Sequence, residues 1–368
     1  MISINFSLTM PQVFILMQKR HLGILGLILA TLSSLTADEL PCSTQGKEAM
    51  GLVNSSARYQ VDNGWYFFLN TEFLWWVAKE DGLYYAQSGF TNTTVLSPGS
   101  TKNFDGHLQR VNPHWSPGFR IGFGGNMEYD EWDILLNWTW FKTHAKDSSR
   151  ASHDTVQLVL WSHPDAVGSQ GATHAQGIWN MHLNLIDLEL GRDFWVGKHF
   201  SLRPFFGPRG AWIDQDFKIH YQLTTTPATQ TKLKMESDFE GGGIRAGFNA
   251  RFTLLGGWSF YGQASASMLY GYYNCDFRGK WNSHPIAGTR DGFHNAASTA
   301  QLELGVRWDT YFHRDRYHVG LYAAWEQNIW FGLNKMNRYF NKLSEGNFQQ
   351  MNGDLTLQGG TFGIRFDF

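Results

Sequence analysis

The sequence is poor in cysteine, in long apolar runs and in clustered charge, and each shortage excludes a class of protein. Its two cysteines, Cys42 and Cys275, are too few for a secreted fold held together by disulfides. They pair, crosslink to a neighbour or stay free, and the sequence leaves these states open. Beyond residue 40 no apolar run approaches the roughly 18 residues that a membrane-spanning helix needs. The net charge is −2 and the basic residues are scattered, which argues against nucleic-acid binding.

Aromatic residues and glycine are abundant instead. Aromatic residues make up 16% of the chain, including 16 tryptophans, and there are 39 glycines. This mixture is typical of membrane-interface belts and closely packed strands. If the mature protein crosses a bilayer, we expect it to cross as strands, with tryptophans such as Trp138, Trp140 and Trp308 in the interfacial girdles.

The N-terminus has the form of a secretory signal peptide, which we assign to residues 1–37. Lys19 and Arg20 precede an apolar stretch and then small residues, and Met17 is an alternative start. A buried helix is the other interpretation of this stretch. We expect an N-terminal periplasmic segment over residues 38–63 and the main domain over residues 64–368.

Beyond the signal peptide, the chain repeats a two-residue period in segments of about ten residues. In EWDILLNWTWF, Trp132, Ile134 and Leu136 fall on one face, while Asp133 and Asn137 fall on the other. Related alternation runs through GFRIGFG, GIRAGFNARF, WSFYGQASASMLY, QLELGVRWD and the final GGTFGIRFDF, and less cleanly through WYFFLNTEFLWW and VGLYAAW. About ten such segments predict strands that each have one apolar and one polar face.

Two segments follow this period less well. SLRPFFGPRGAW contains two prolines, which weakens it as a strand. NMHLNLIDLELG changes phase near Leu185 and Ile186, which indicates either a β-bulge or a misassigned strand.

The joins between segments alternate in length. Joins of roughly 20 to 35 residues alternate with short ones such as GNMEYD, FWVGKH, LGG and HRDR, as in outer-membrane barrels. A soluble β-sandwich also has alternating strands, but it has no reason to sort its loops by length. We therefore predict an all-β fold: a transmembrane antiparallel up-and-down β-barrel with short periplasmic turns and long external loops. The predicted strand number is about ten, with twelve as the alternative.

Several stretches, taken in order, resemble a known family. TEFLWWVAKEDGLYYA, SPGFRIGFG, DLELGRDFWV, LRPFFGPRGAWIDQ and the C-terminal Phe resemble the pore-forming major outer membrane proteins of Legionella and of chlamydia-like bacteria. The resemblance covers roughly residues 64–368 and implies a porin-like barrel in the outer membrane of a Gram-negative bacterium. Some chlamydial relatives carry many cysteines that crosslink the envelope, whereas this chain has two, so a disulfide-network role does not carry over.

The C-terminal strand resembles the signal by which the barrel-assembly machinery recognises its substrates. The residues that carry this resemblance are Phe362, Ile364, Phe366 and Phe368. The physical part of the expectation is that the last strand pairs with the first, because no backbone group can stay unpaired in lipid.

Charged residues on the polar face should point into the barrel, since an arginine facing lipid at mid-depth costs about 2–4 kcal/mol. The predicted pore-lining residues are Arg120, Arg203, Arg209, Arg245, Arg251, Arg307, Arg365, Glu72, Asp133, Glu189, Glu303 and Asp309. Two interpretations stay open: a ladder of ion pairs that stiffens the wall, and a charged constriction that sorts solutes by sign. An open lumen and a narrow, partly plugged one also remain as alternatives.

The sequence therefore predicts a porin in the bacterial outer membrane that lets small hydrophilic solutes or ions diffuse through a charged lumen. The alternative is a surface-exposed structural or adhesive barrel whose loops bind host or envelope partners. We expect no enzyme and no cofactor, because no nucleophile elbow or metal-ligand spacing occurs. Expected partners are outer-membrane lipid, the barrel-assembly machinery and small hydrophilic solutes, with a second copy of the chain and a host surface left open.

Overall fold

The structure is a computed structural model, and it describes residues 54–61, 66–91, 106–127, 130–152, 155–161, 171–224, 229–339 and 348–368. The predicted signal peptide and Cys42 lie outside the described residues. No helix in the described part of the chain is long and apolar enough to cross a membrane.

The described residues form sixteen strands. They are β1 (Phe67–Glu80), β2 (Tyr84–Thr91), β3 (Leu108–Arg110), β4 (Trp115–Asn126), β5 (Trp132–Arg150), β6 (Thr155–Val159), β7 (Ala172–Arg192), β8 (Phe194–Trp195), β9 (Phe200–Leu223), β10 (Gln230–Thr253), β11 (Trp258–Trp281), β12 (His284–Phe312), β13 (Tyr317–Asn334), β14 (Asn337–Tyr339), β15 (Phe348–Gln350) and β16 (Gly353–Asp367).

Ten of these strands close into an antiparallel barrel. The order is β1, β4, β5, β7, β9, β10, β11, β12, β13 and β16, and each pairs with its neighbours along the chain. Closure comes from β16, which pairs with β13 on one side and with β1 on the other, placing Phe362 opposite Phe73. The barrel and its lower strand number of ten are therefore confirmed. Each of the ten predicted segments falls on one of these strands, including the proline-containing segment in β9, apart from a few end residues such as Trp65, which lies outside the described residues.

The outward face of the barrel is apolar along one section of every strand. Large apolar side chains are exposed there on successive strands, namely Phe73, Trp75, Phe123, Trp138, Phe206, Ile244, Phe248, Phe260, Leu302, Leu304, Trp325, Phe362 and Ile364. We call this part, from the short turns up to the level of Trp140, Trp212 and Tyr272, the membrane section. Its exposed apolar surface is what a wall in contact with acyl chains requires.

Above that level the pattern inverts, and we call this part the outer section. On β10, Ile244 and Phe248 face outward in the membrane section, whereas Phe239 and Met235 are fully buried inside the outer section. The outward positions of β10 in the outer section carry charges such as Lys234. The strand keeps one continuous register through this change, so only the apolar face switches from outside to inside.

This inversion explains the change of phase on β7. Leu185 is buried inside and Ile186 lies on the outward face, yet their partners Ala211 and Gly210 on β9 follow without a shift. The expected bulge or misassigned strand near these residues is therefore wrong. The phase changes because the strand leaves the apolar environment of lipid and enters water.

The lengths of the joins also need correction. The polar stretches that follow SLRPFFGPRGAW and WSFYGQASASMLY are mostly strand. In the first, β9 ends at Leu223 and β10 begins at Gln230; in the second, β11 ends at Trp281 and β12 begins at His284. At the end of β11, Asn282 and Ser283 both have positive φ angles and form a two-residue turn. Three of the predicted long joins remain, and they contain the small strands β2, β3, β6, β14 and β15.

Part of the long joins folds over the outer end of the barrel. Tyr85 of β2 and Trp161, after β6, are almost fully buried in the apolar cluster of the outer section. The Trp161 ring packs edge-on against Phe217 with centroids 5.7 Å apart, and the Tyr221 hydroxyl donates to the carbonyl of Tyr85. These contacts cover the interior from the external side.

Candidate functional site

The interior of the membrane section is polar and densely charged. All twelve predicted pore-lining residues lie inside the barrel: Arg120, Arg203, Arg209, Arg245, Arg251, Arg307, Arg365, Glu72, Asp133, Glu189, Glu303 and Asp309. Ten of them, all except Asp133 and Asp309, line a cavity of about 160 Å³. Whether this space conducts stays a prediction, but the placement of the side chains follows from strands whose outward positions are taken by apolar residues.

Arg203 and Glu189 form the centre of the charged layer. The Arg203 Nε lies 2.9 Å from Asp133 Oδ2, and its Nη1 lies 3.0 Å from Glu189 Oε2. Arg245 on β10 pairs with the other carboxylate oxygen of Glu189. Gly191 leaves room for the Arg203 guanidinium, because a Cβ there would lie 2.7 Å from it. Three strands are thereby tied together through one buried carboxylate.

A second ion pair joins Arg209 of β9 to Asp187 of β7. Two nearly parallel bonds connect them, with Nε–Oδ1 at 2.6 Å and Nη2–Oδ2 at 2.8 Å. Arg209 is only 3% exposed and Asp187 5%. Asp187 was not among the residues predicted to line the pore, although it lies two residues before Glu189 and therefore on the same face of the strand.

A third group of ion pairs crosses the lumen. Arg120 of β4 lies 2.6 Å from Glu72 on the adjacent β1 and 2.8 Å from Glu326 on β13, which is not its neighbour in the sheet. Tyr322 donates to Glu72 at 2.8 Å, and Tyr261 donates to Glu303 at 2.6 Å. Glu326 was also missed, because the predicted segment ended one residue before it.

At the end with the short turns, a histidine bridges two carboxylates. His318 is fully buried, with Nδ1 2.6 Å from Asp367 Oδ2 and Nε2 3.0 Å from Asp309 Oδ1. Arg307 pairs with Asp309 at 2.7 Å, and Arg365 pairs with Asp367 at 2.7 Å. Histidine here had no signal in the sequence beyond its position at the start of β13.

The segment 54–61 lies in this mouth of the barrel. Its Tyr59 ring stacks on His318 with centroids 3.8 Å apart, and its hydroxyl donates to Asp309 Oδ2 at 2.9 Å. The guanidinium carbons of Arg251, Arg307 and Arg365 lie 4.6, 4.9 and 5.2 Å from the ring centroid. Burial raises the pKa of the Tyr59 hydroxyl, with Arg307 and Arg251 acting in the opposite direction. The N-terminal segment thus closes the mouth with an aromatic ring held by charges.

The other end of the charged layer is closed by apolar packing. Large side chains from opposite walls fill the outer section, among them Trp76, Phe141, Trp179, Leu183, Ile213, Phe217, Phe239, Tyr273 and Trp330. Each is almost completely shielded from solvent. In the conformation described, the cavity is therefore bounded by Tyr59 below and by an apolar core above.

A family model described as Legionella pneumophila major outer membrane protein precursor matches residues 61–368. The chain belongs to this family. As a member of the Legionella major outer membrane protein family, it lies in the bacterial outer membrane. The short turns and the mouth occupied by Tyr59 are then periplasmic, and the outer section is external.

The two solved structures described next are only distantly similar to this family member. No curated protein matches the chain in sequence. Among solved structures, the outer membrane protease OmpT from Escherichia coli is similar over 85% of this chain and 100% of its own, with 8% identity and a TM-score of 0.38. A Pseudomonas aeruginosa FadL homologue is similar over 82% of this chain and 89% of its own, with 9% identity and a TM-score of 0.27. Similarity this low supports no functional conclusion.

Among the described residues, no group of three His, Cys, Asp or Glu side chains is placed to hold a metal ion. The single described cysteine, Cys275, is a buried free thiol in the outer section. What the charged layer can do is bind water and small ions and stiffen the wall.

Proposed function

We propose that this outer-membrane barrel is a porin of low conductance that passes small hydrophilic ions through its charged layer when the two closures open. The observation that supports the proposal is the composition of the lumen at membrane depth. At that depth seven arginines and their acidic partners surround a polar cavity that their side chains leave unfilled.

Conduction requires two local rearrangements. On the periplasmic side, residues 54–61 must leave the mouth, which breaks the bond between Tyr59 and Asp309. On the external side, the apolar core around Trp76 and Phe217 must separate or admit a passage. These requirements imply low conductance and brief openings, in contrast to wide porins that hold a permanent aqueous channel.

The charges in the layer favour cations over anions. Seven arginines face nine carboxyl side chains, which are Glu72, Asp133, Asp187, Glu189, Asp193, Glu303, Asp309, Glu326 and Asp367. An excess of acidic groups attracts cations into a pore of low dielectric constant. We expect a permeability ratio of K⁺ to Cl⁻ above one.

Single-channel recording in planar bilayers tests the proposal. Wild type and Tyr59→Ala are compared at equal protein load, and folding of each sample is verified by heat-modifiable gel migration. We expect cation-preferring openings that are more frequent in Tyr59→Ala, because the variant lacks the ring and hydroxyl that hold the segment. Tyr317→Ala is a matched control. Tyr317 is the first residue of β13, next to His318 at the same mouth of the barrel, but its side chain is on the outward face. Silence of both wild type and Tyr59→Ala in folded samples would overturn the porin assignment.

A second function is supported by the core of the outer section. An interior packed as densely as a soluble domain, on strands that continue far beyond the membrane section, suits a barrel that holds external hairpins rigidly at the cell surface. In that case the ion-pair layer stiffens the wall and passes nothing. Folded but silent protein whose external hairpins mediate binding to cells would support this function. We propose no catalytic turnover for either case.

A further inference from the structure

The outward wall of the outer section carries a basic surface that neither proposed function uses. It consists of Lys146, Lys218, Lys232, Lys234, Arg278 and Lys280, together with His220, and we call it the basic stripe. These side chains come from four strands, β5, β9, β10 and β11. Their alternation with buried apolar residues places all of them on the outside of the barrel.

The register of the strands puts like charges directly opposite one another. Lys218 pairs with Lys234, and Lys234 pairs with Arg278. In the next outward row, Lys232 pairs with Lys280 and with His220. Like charges that face each other across neighbouring strands destabilise a sheet. The repulsion between Lys232 and Lys280, which no ion pair among the described residues offsets, is the part that a ligand of opposite charge would relieve.

Only one row of the basic stripe is neutralised within the chain. Asp216 lies 2.5 Å from Lys218, Glu236 pairs with Lys234, and Asp276 pairs with Arg278. Among the described residues, no ion pair involves the three other lysines, which are Lys146, Lys232 and Lys280. The upper part of the stripe therefore keeps its positive charge.

His220 responds to this uncompensated charge. Its pKa is lowered by burial first and then by the nearby ammonium groups of Lys232, Lys218 and Lys146. Lysines from β5, β9 and β10 thus all influence the charge state of the same side chain, His220. The register places Ile178 of β7 between Lys146 and Lys218, so Lys146 acts on the rest of the basic stripe across one apolar position.

The height of the basic stripe indicates what it meets. Lys146, Lys218 and Arg278 each follow a girdle aromatic by six residues, namely Trp140, Trp212 and Tyr272. At about 3.3 Å per residue and a tilt near 40°, this places the stripe roughly 15 Å above the apolar band. The side chains point sideways from the barrel wall, so they face the layer that surrounds the protein at that height. In a Gram-negative outer membrane this layer is the phosphorylated saccharide of lipopolysaccharide.

We propose that the basic stripe binds the phosphate groups of lipopolysaccharide and holds the barrel wall against the saccharide layer of the outer leaflet. Ammonium and guanidinium groups suit phosphate oxygens in charge and hydrogen bonding. The unpaired Lys146, Lys232 and Lys280 make the main contacts. The row of Lys218, Lys234 and Arg278 exchanges part of its pairing with Asp216, Glu236 and Asp276 for the ligand.

The test is a binding titration of the purified full-length barrel in detergent with lipopolysaccharide, and with the same lipopolysaccharide after chemical removal of its phosphates. The variant K146Q/K232Q/K280Q removes three charges that make no ion pair. The control K198Q/R314Q/R316Q removes three exposed charges from the short turns at the periplasmic end. A third variant, K146R/K232R/K280R, keeps the charge. Heat-modifiable migration verifies that every variant is folded.

We expect wild type to bind intact lipopolysaccharide with an affinity that falls as salt rises. The glutamine variant should bind roughly a hundredfold more weakly, at about fivefold for each basic side chain near an anionic surface. The arginine variant and the periplasmic control should stay within about twofold of wild type, and the dephosphorylated ligand should bind weakly. Equal binding by the glutamine variant, or equal binding of the dephosphorylated ligand, would overturn the proposal. Tighter binding of heparin than of lipopolysaccharide would also overturn it, because the stripe would then serve a soluble polyanion.

Discussion

The ion pair between Arg209 and Asp187 allows a direct measurement of how dry the interior is. Both side chains are almost fully buried, and two bonds of 2.6 and 2.8 Å join them. Removing one partner of such a pair leaves an uncompensated buried charge, which typically costs about 3–5 kcal/mol. We therefore expect Arg209→Met and Asp187→Leu each to destabilise the folded barrel substantially.

The two single changes should lower the free energy of unfolding by different amounts, because the remaining charge keeps different partners. In Arg209→Met, Asp187 keeps Arg245, whose Nη1 lies 3.8 Å away, so the loss should be near 3 kcal/mol, the lower limit for a broken buried pair. In Asp187→Leu, Arg209 keeps only the hydroxyls of Ser267 and Thr299, each 3.3 Å from Nη1, so the loss should be near the upper limit of about 5 kcal/mol. The double variant should recover most of either loss, because no buried charge is left alone.

Urea unfolding in lipid vesicles, followed by tryptophan fluorescence, gives the free energies. Arg290→Gln is the matched control, because Arg290 pairs with Asp276 at 3.4 Å while its own side chain is 80% exposed. It should cost less than about 1 kcal/mol, as exposed pairs do. Losses of that small size for Arg209→Met and Asp187→Leu would refute the reasoning. They would mean that water fills the lumen and screens the pair, as in an open channel.

Three further changes test other parts of the barrel. Leu304→Arg puts a charge on the lipid face and should cost about 2–4 kcal/mol in vesicle unfolding, whereas Leu255→Arg in an exposed turn should cost nothing measurable; equal costs would contradict the lipid-facing assignment. Trp179→Ala should cost about 3–5 kcal/mol in the same assay, because Trp179 is buried in the outer core, and a loss under about 1 kcal/mol would show that this core is loose. Burial raises the pKa of the Cys275 thiol to about 11, so a thiol reagent at pH 8 should label it only after unfolding. The same shift predicts that Cys275 leaves stability unaffected below about pH 8 and lowers it as pH rises toward 11, since the unfolded thiol loses its proton first. Cys275→Ala should reduce this fall without removing it, because buried tyrosines such as Tyr273 also have a raised pKa.

The wall of the barrel could be predicted from the sequence because its faces alternate every two residues. Arg120, Arg203 and Arg245 were placed inside simply by being out of phase with lipid-facing residues. The partners of these arginines could not be predicted in the same way, since Arg120 reaches Glu326 across the lumen. A contact across the barrel depends on side-chain length and barrel width, which no local period encodes.

The outer section was harder to predict for a different reason. On β7 the apolar residues move from odd to even positions after Leu185, so a single period covers only part of the strand. A prediction that assumes the same surroundings along the whole strand treats this change of phase as a structural irregularity. Two environments along one straight strand produce the same signal without any change in backbone geometry.

The closure of the mouth had no signal in the sequence. Tyr59 lies in a short stretch without periodicity, and its position depends on three arginines that are far away in the chain. The roles of Phe362, Ile364, Phe366 and Phe368 in barrel assembly, the signal peptide over residues 1–37 and the domain bounds stay predictions.

The turn between β11 and β12 stands well clear of the membrane. Tyr272 marks the girdle, and the nine residues from there to Trp281 raise Asn282 and Ser283 by about 20 Å. An antibody or bacteriophage approaching the cell should touch this tip before any deeper part of the protein. Neither residue supports the interior, so variation that evades such recognition should accumulate there, and a short epitope tag inserted between them should be displayed without loss of folding.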